Sequence, residues 1–187
     1  LWTLETYGYH IRTGSFVWNR ECERYRPGNQ PRENEVPLFW AHNIKADELC
    51  QPFARKGDTN DGSVGFVSVV SGSPTVHISD SLLVQRTTNR AQRRRIVAGR
   101  VCVKNLPGGW GFITLQAISL DQLCGLLNTQ AVDLRFRRIS GSVSVSTRAL
   151  RDLPLPDPSV FLRNLSKELS VEEAARRAYL ESVANAD

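Results

Sequence analysis

The apolar residues of this chain change their spacing near Leu120, and that change restricts the folds open to it more than any other feature. Before it, short apolar runs broken by Gly, Pro, Asn and Asp read as strands and turns. After it, Leu120, Leu123, Cys124 and Leu127 recur at helical spacing, as do Val132 and Phe136 beyond a break near Asn128. Strands followed by helices predict an α+β domain, with a twisted, mainly antiparallel or mixed β-sheet core and short helices in the C-terminal half. A chain of 187 residues is one ordinary domain or two small ones, long enough to bury roughly two-thirds of its unfolded surface. The expected division is a main domain over 1–158 and a helical extension over 159–187 that packs on the body or on a partner.

In the strand half, residues 8–19 (GYHIRTGSFVWN) alternate polar and apolar positions around Gly14 and predict a hairpin. Residues 20–35 carry Pro27, Gly28 and Pro31 with almost no apolar content, the composition of a solvated loop, and 36–44 (VPLFWAHNI) predict a buried strand or the approach to one. Turn chemistry fills 54–63. Strands are then expected at 65–70, 75–78, 81–85, 93–103 and 112–118, with turns at 71–74 and 106–111. In the 93–103 strand apolar residues occupy both parities, Ile96, Ala98 and Cys102 against Val97, Val101 and Val103. Both faces should therefore be covered, with Ile96, Val97, Val101 and Val103 in the core.

In the helical half, Leu120–Leu127 and the Val132–Phe136 region predict two consecutive short helices. Ser146 or Thr147 should cap another through Leu150, which Pro154, Pro156 and Pro158 then stop. Ser170-x-x-Glu173 is a capping-box pattern that opens a helix to about Ala184. Residues 152–187 hold seven acids against four bases, so this tail stands apart from the basic part of the chain.

That basic part is local. No Asp or Glu occurs between Asp80 and Asp121, while Arg86, Arg90, Arg93, Arg94, Arg95, Arg100 and Lys104 do, so residues 81–120 carry a formal +7 against +5 for the whole chain. A polyanion is the first partner to consider. Gln85, Thr87, Thr88, Asn89 and Gln92 set amides and hydroxyls among the guanidiniums. Arg can pair with guanine through two hydrogen bonds, Asn or Gln with adenine, and all of these groups with phosphate, a mixture suited to double-stranded DNA. A solvated loop between strands has the same composition, and Arg100 and Lys104 receive no role.

A second candidate segment has Ser140, Ser142, Ser144 and Ser146 beside Arg137, Arg138 and Arg148. Its hydroxyls either bond to their own backbone or touch a sugar-phosphate chain. Arg12, Thr13, Trp18, Asn19, Arg20 and His42 lie at the ends of elements, from which side chains reach a ligand. Trp18, Trp40 and Trp110 read first as packing residues.

Other classes are excluded or carry no signal. The chain has no G-x-G-x-x-G, G-x-x-x-x-G-K-[ST], H-E-x-x-H or G-x-S-x-G, so no common catalytic motif is present. Cys22, Cys50, Cys102 and Cys124 lack metal-site spacing and are expected to be free thiols, Cys102 and Cys124 as core residues, and the three His residues form no zinc signature. No apolar run approaches the roughly 20 residues of a membrane span, and the N-terminus has no signal-peptide pattern. The expectation is a soluble, cytoplasmic protein with no membrane partner. Because the chain contains no Met, we expect it to be a piece of something longer.

Four strings, HIRTGSFVWNR, VPLFWAHNI, LLVQRTTNRAQRRRIVAG and LLNTQAVDLRFRRISGSVSVSTRALRDLPLP, resemble the C-terminal target recognition (specificity) domain of adenine-specific DNA methyltransferases of restriction-modification systems. The relatives are TaqI-like and type IIG enzymes and, more distantly, type I specificity subunits. The likeness covers about residues 8–158, with the blocks in the family's order and its close of Ser/Gly-rich loop, short helix and Leu-Pro-Leu-Pro. It implies a bacterial module that reads a short stretch of duplex DNA beside an N-terminal methyltransferase domain. That domain would bind S-adenosylmethionine and methylate a flipped adenine through an Asn-Pro-Pro-Tyr type motif. This chain lacks the motif, so the fragment is expected to be inactive alone, with no cofactor or metal of its own. The other reading is a protein–protein interaction module of a restriction or phage-defence assembly.

Overall fold

In the computed structural model, residues 2–13, 16–46, 48–52, 63–69, 81–87, 92–101, 116–140, 144–167 and 169–184 are described. They form an α+β fold with antiparallel sheets, and the described strands all precede Leu120. Strands β1 (Tyr25–Gly28), β2 (Glu35–Pro37) and β3 (Val64–Ser68) make a sheet in the order β1-β3-β2, with Val67 opposite Tyr25 on one side and Val36 on the other. Strands β4 (Ser81–Val84) and β5 (Ala98–Val101) make a separate two-stranded ribbon in which Leu83 faces Gly99.

Three expectations for the first 44 residues are corrected. Residues 9–13 and 16–17 are irregular rather than a hairpin, and helix α1 (Trp18–Glu21) follows them. Tyr9 turns toward the helical half, where its hydroxyl donates to the Ile118 carbonyl at 2.7 Å. The expected loop at 20–35 contains strand β1, which runs through Pro27. This is possible because β1 is an edge strand, where a missing N–H can face away from the ladder. Asn34, in the left-handed region at φ 64°, makes the entry to β2, a conformation Asn tolerates better than most residues. The strand expected from Val36 ends at Pro37, and Ala41–Asn43 form a 3₁₀ turn.

The helical half follows its caps. Helix α2 (Leu120–Leu127) starts from Ser119, whose Oγ accepts from the Gln122 amide at 3.2 Å, and α3 (Gln130–Ile139) starts from Thr129. Helix α4 (Thr147–Arg151) is capped by Ser146, and α6 (Val171–Ala184) opens with Ser170 Oγ accepting from the Glu173 amide at 3.2 Å. Helix α5 (Pro158–Leu165) was not expected. Pro158 opens it rather than stopping its predecessor, because Asp157 caps the Ser159 and Val160 amides and Pro at a first helical position forfeits no bond. The α3 N-terminus receives a second cap from α6, since Glu172 accepts from the Gln130 and Ala131 amides at 2.6 and 3.0 Å.

One large core joins Leu123, Leu126, Leu127, Val132, Phe136, Leu150, Leu153, Phe161, Ala174 and Ala178 to Ile96 and Ala98 of the ribbon. A smaller cluster of Ile44, Cys50 and Val101, with Phe39, Leu83 and Val97 against it, covers the ribbon's other face. The two parities of β5 thus lead to two clusters, as the sequence predicts for its described part. Cys102, Val103, the strand expected at 75–78 and residues 112–115 of the strand expected at 112–118 lie outside the described residues, and 116–118 form no strand. Gly99 permits the second covering: a Cβ there would stand 2.4 Å from Cys50 Sγ and 2.8 Å from the Lys45 carbonyl. The Leu-Pro-Leu-Pro segment is built into the large core, where the hydroxyls of Tyr7 and Tyr179 donate to the Pro156 and Pro154 carbonyls at 2.7 and 2.8 Å.

Candidate nucleic-acid interface

Two buried polar side chains of the helical half hold the basic segment that precedes β5. Asn128, in the break between α2 and α3, donates through Nδ2 to the Ala98 carbonyl at 2.8 Å and accepts the Ala98 amide on Oδ1 at 2.9 Å. Its carboxamide therefore pairs with β5 as a neighbouring strand would. One turn further, Asp133, 2% exposed, accepts the Arg95 and Ile96 amides on Oδ1 and Arg137 Nε on Oδ2 at 2.6 Å. Arg137 Nη2 then donates to the Arg93 carbonyl at 2.9 Å. The arm from Arg93 to Ile96 is fastened to α3 by its backbone, which leaves its side chains to other uses.

The Ser-rich segment meets the described residues that follow β4. The Val145 amide donates to the Arg86 carbonyl at 2.7 Å, and Thr87 and Ser144 form an antiparallel bridge. The described residues of two segments far apart in sequence, 85–87 with 92–95 and 137–140 with 144–148, are therefore joined by hydrogen bonds into one surface. Both are free of acids: none occurs between Asp80 and Asp121, and none between Asp133 and Asp152. The acid beneath them, Asp133, is buried.

The expected site residues divide on this surface. Arg86, Thr87, Arg93, Arg138, Ser144 and Arg148 are exposed there, with Arg94, Arg95 and Ser140 half-buried beside them. The Arg148 side chain is 93% exposed, 3.9 Å from Asp152. Nitrogen Nη1 of Arg95 is buried with no acceptor among the described residues, a costly state for a charged donor. Ser146 uses its Oγ to accept the Ala149 amide at 3.0 Å. Thr88, Asn89, Arg90 and Ser142 lie outside the described residues.

Other expected residues are used internally or lie elsewhere. Gln85 is buried, and its Nε2 donates to the Ala41 and Ile44 carbonyls at 2.9 and 2.7 Å while its Oε1 accepts from Gln92 at 3.4 Å. Gln85 therefore anchors the turn that carries exposed His42, instead of presenting its amide outward. The Trp18 ring meets Tyr25 and Trp40 edge to face, with centroids 5.2 and 5.5 Å away, and is a packing group. Asn19 and Arg20 are exposed on α1, and Arg12 and Thr13 on the irregular segment before it, without a described bond to the arm. Arg135, one turn before the helix end, lies over the Tyr179 ring at 4.9 Å. Arg100 pairs with Asp121 at a cavity of about 330 Å³ that Glu48, Leu49, Cys124 and Gly125 also line.

Sequence reasoning missed Asn128 and Asp133. The one signal for Asp133 was its i,i+4 spacing to Arg137, which on a helix normally marks a surface pair. Among the described residues no group of three or more His, Cys, Asp or Glu is placed to hold a metal, and no helix is long and apolar enough to cross a membrane. No protein-family model, no curated protein and no solved structure matches the chain, so the surface is read from its own chemistry.

Proposed function

We propose that the chain is a sequence-specific double-stranded DNA recognition module of an adenine-specific DNA methyltransferase or restriction-modification enzyme. The observation that carries this reading is the joining of two acid-free, arginine-rich segments into one surface, through the Val145–Arg86 and Arg137–Arg93 bonds. Exposed guanidiniums beside Thr and Ser hydroxyls are the groups that bind phosphate and read base edges. In this reading methyl transfer from S-adenosylmethionine falls to an accompanying domain, and the present residues position the duplex for it.

The test is selection from a randomised duplex pool, followed by affinity measurements on the enriched sequence over a range of salt. Enrichment of one short motif is expected, with a log–log salt slope of about −0.9 for each phosphate neutralised. Replacing Arg93, Arg94 and Arg95 together by Ala should remove most of the binding. Unchanged affinity in that variant sinks the reading of this surface. Binding with no enriched motif sinks sequence recognition and leaves a docking surface for an acidic protein.

A further inference from the structure

We infer that Asp133 is a positioning residue of the basic surface, which holds the arginine arm in the shape a duplex would meet even though its own charge opposes a polyanion. The inference rests on the DNA-binding reading above. A buried carboxylate is costly unless it is bonded and paired. All three partners of Asp133 are arm backbone or a residue that grips it: the Arg95 and Ile96 amides on Oδ1 and Arg137 Nε on Oδ2. The contacts close into a ring, because Arg137 Nη2 returns from α3 to the Arg93 carbonyl at 2.9 Å. Three consecutive arginines without such fastening would have to be ordered by the ligand, and ordering before binding is what raises affinity without new contacts.

Charge and positioning act with opposite sign here, which makes the inference testable. If Asp133 were only a charge, neutralising it would remove repulsion beneath the surface and tighten the binding of any polyanion. If it positions the arm, neutralising it weakens binding. In D133N, Oδ1 can still accept an arm amide, but Nδ2 then faces Arg137 Nε, donor against donor. R137K supplies the independent check: it keeps the charge, yet a single ammonium does not reproduce the planar fork that reaches both Asp133 and the Arg93 carbonyl.

The experiment measures the affinity of the whole chain, of D133N and of R137K for the duplex enriched by selection, with thermal unfolding of each recorded alongside. Each variant is expected to bind about tenfold more weakly. R137K should keep a salt slope within about one phosphate of the unsubstituted chain. Equal or tighter binding by D133N overturns the inference. Should D133N fail to fold, R137K decides, because its side chain is 37% exposed; affinity equal to that of the unsubstituted chain overturns the inference. An unsubstituted chain that binds no duplex sinks the DNA reading and this inference together. Binding by that chain with unaltered variants sinks the inference alone.

Discussion

The helical half and the three-stranded sheet are held by different means. In the helical half Phe136, Phe161, Leu126 and Val132 are wholly buried and share one continuous core. In the sheet only Gly65, Phe66 and Val67 are buried, while Trp18, Tyr25 and Trp40 meet edge to face on a half-exposed surface and Arg26 pairs with Glu35 at 2.5 Å. Burial stabilises in proportion to area, whereas an aromatic pair adds about 0.5–1.5 kcal/mol. The sheet should therefore open at lower free energy than the helical half. The basic surface belongs to the stable half, since its arm is fastened to α3 and its Ser-rich segment leads into α4.

Phe161→Ala makes the largest break. It should cost about 3–5 kcal/mol and lower the stability of α2, α3, α5, α6 and the β4–β5 ribbon together, as read by urea unfolding and amide hydrogen exchange. Trp18→Ala removes the ring contacts to Tyr25 and Trp40 and should cost about 1–3 kcal/mol, with faster exchange confined to β1–β3. Equal loss of protection in both halves after Trp18→Ala would show that the two regions unfold as one unit.

Asn128→Ala sharpens the comparison inside the stable half. It orphans the Ala98 amide and leaves the carbonyl only the weak Cys124 thiol donor at 3.6 Å, both in a residue with no exposed surface, at about 1–3 kcal/mol for an unpaired buried group. The exchange of the Ala98 and Gly99 amides should rise before that of α6. If α6 exchanges first, Asn128 is not what joins the ribbon to the helices.

How far the sequence disclosed these regions follows from the same difference. Helices α2 and α3 were legible from Leu123, Leu127, Val132 and Phe136, and α4 and α6 from Ser146 and Ser170, because a cap or an apolar face is a local signal. The two-sided burial of β5 was legible because Ala98 and Val101, of opposite parity, lead to different clusters. Strand β1 was hidden: Tyr25, Arg26, Pro27 and Gly28 have no strand pattern, and their pairing depends on β3, about 40 residues away. Helix α5 was hidden because Pro158 can end one helix or begin the next, and only Asp157 as its cap decides. For the surface, composition picked out Arg93, Arg94 and Arg95 but not the buried Asp133 beneath them. Gln85 was misread because an amide near arginines looks the same whether it faces a base or the carbonyls of Ala41 and Ile44.

The smallest expected effect is a pH dependence that belongs to the sheet. Glu35 joins β1 to β2: its carboxylate accepts Arg26 Nε at 3.0 Å and the Arg32 amide at 2.8 Å. These bonds, the Arg26 pairing first, pull its pKa down to about 2 from an ordinary 4.5. A carboxyl whose folded pKa is depressed contributes stability that is fully present above its unfolded pKa and is lost as pH falls toward the folded one. The window is therefore between about pH 4.5 and about pH 2. Glu173 has a similarly low pKa of about 2 through Arg176 and Arg177, but it lies on an open helix face, where salt screens such pairs. Glu35→Gln should therefore flatten the acid dependence of β1–β3 exchange at both low and high salt, while Glu173→Gln should do so for α6 only at low salt. An Arg26–Glu35 contribution that salt erases as readily would mean that the sheet is held, at this point, by nothing stronger than a surface ion pair.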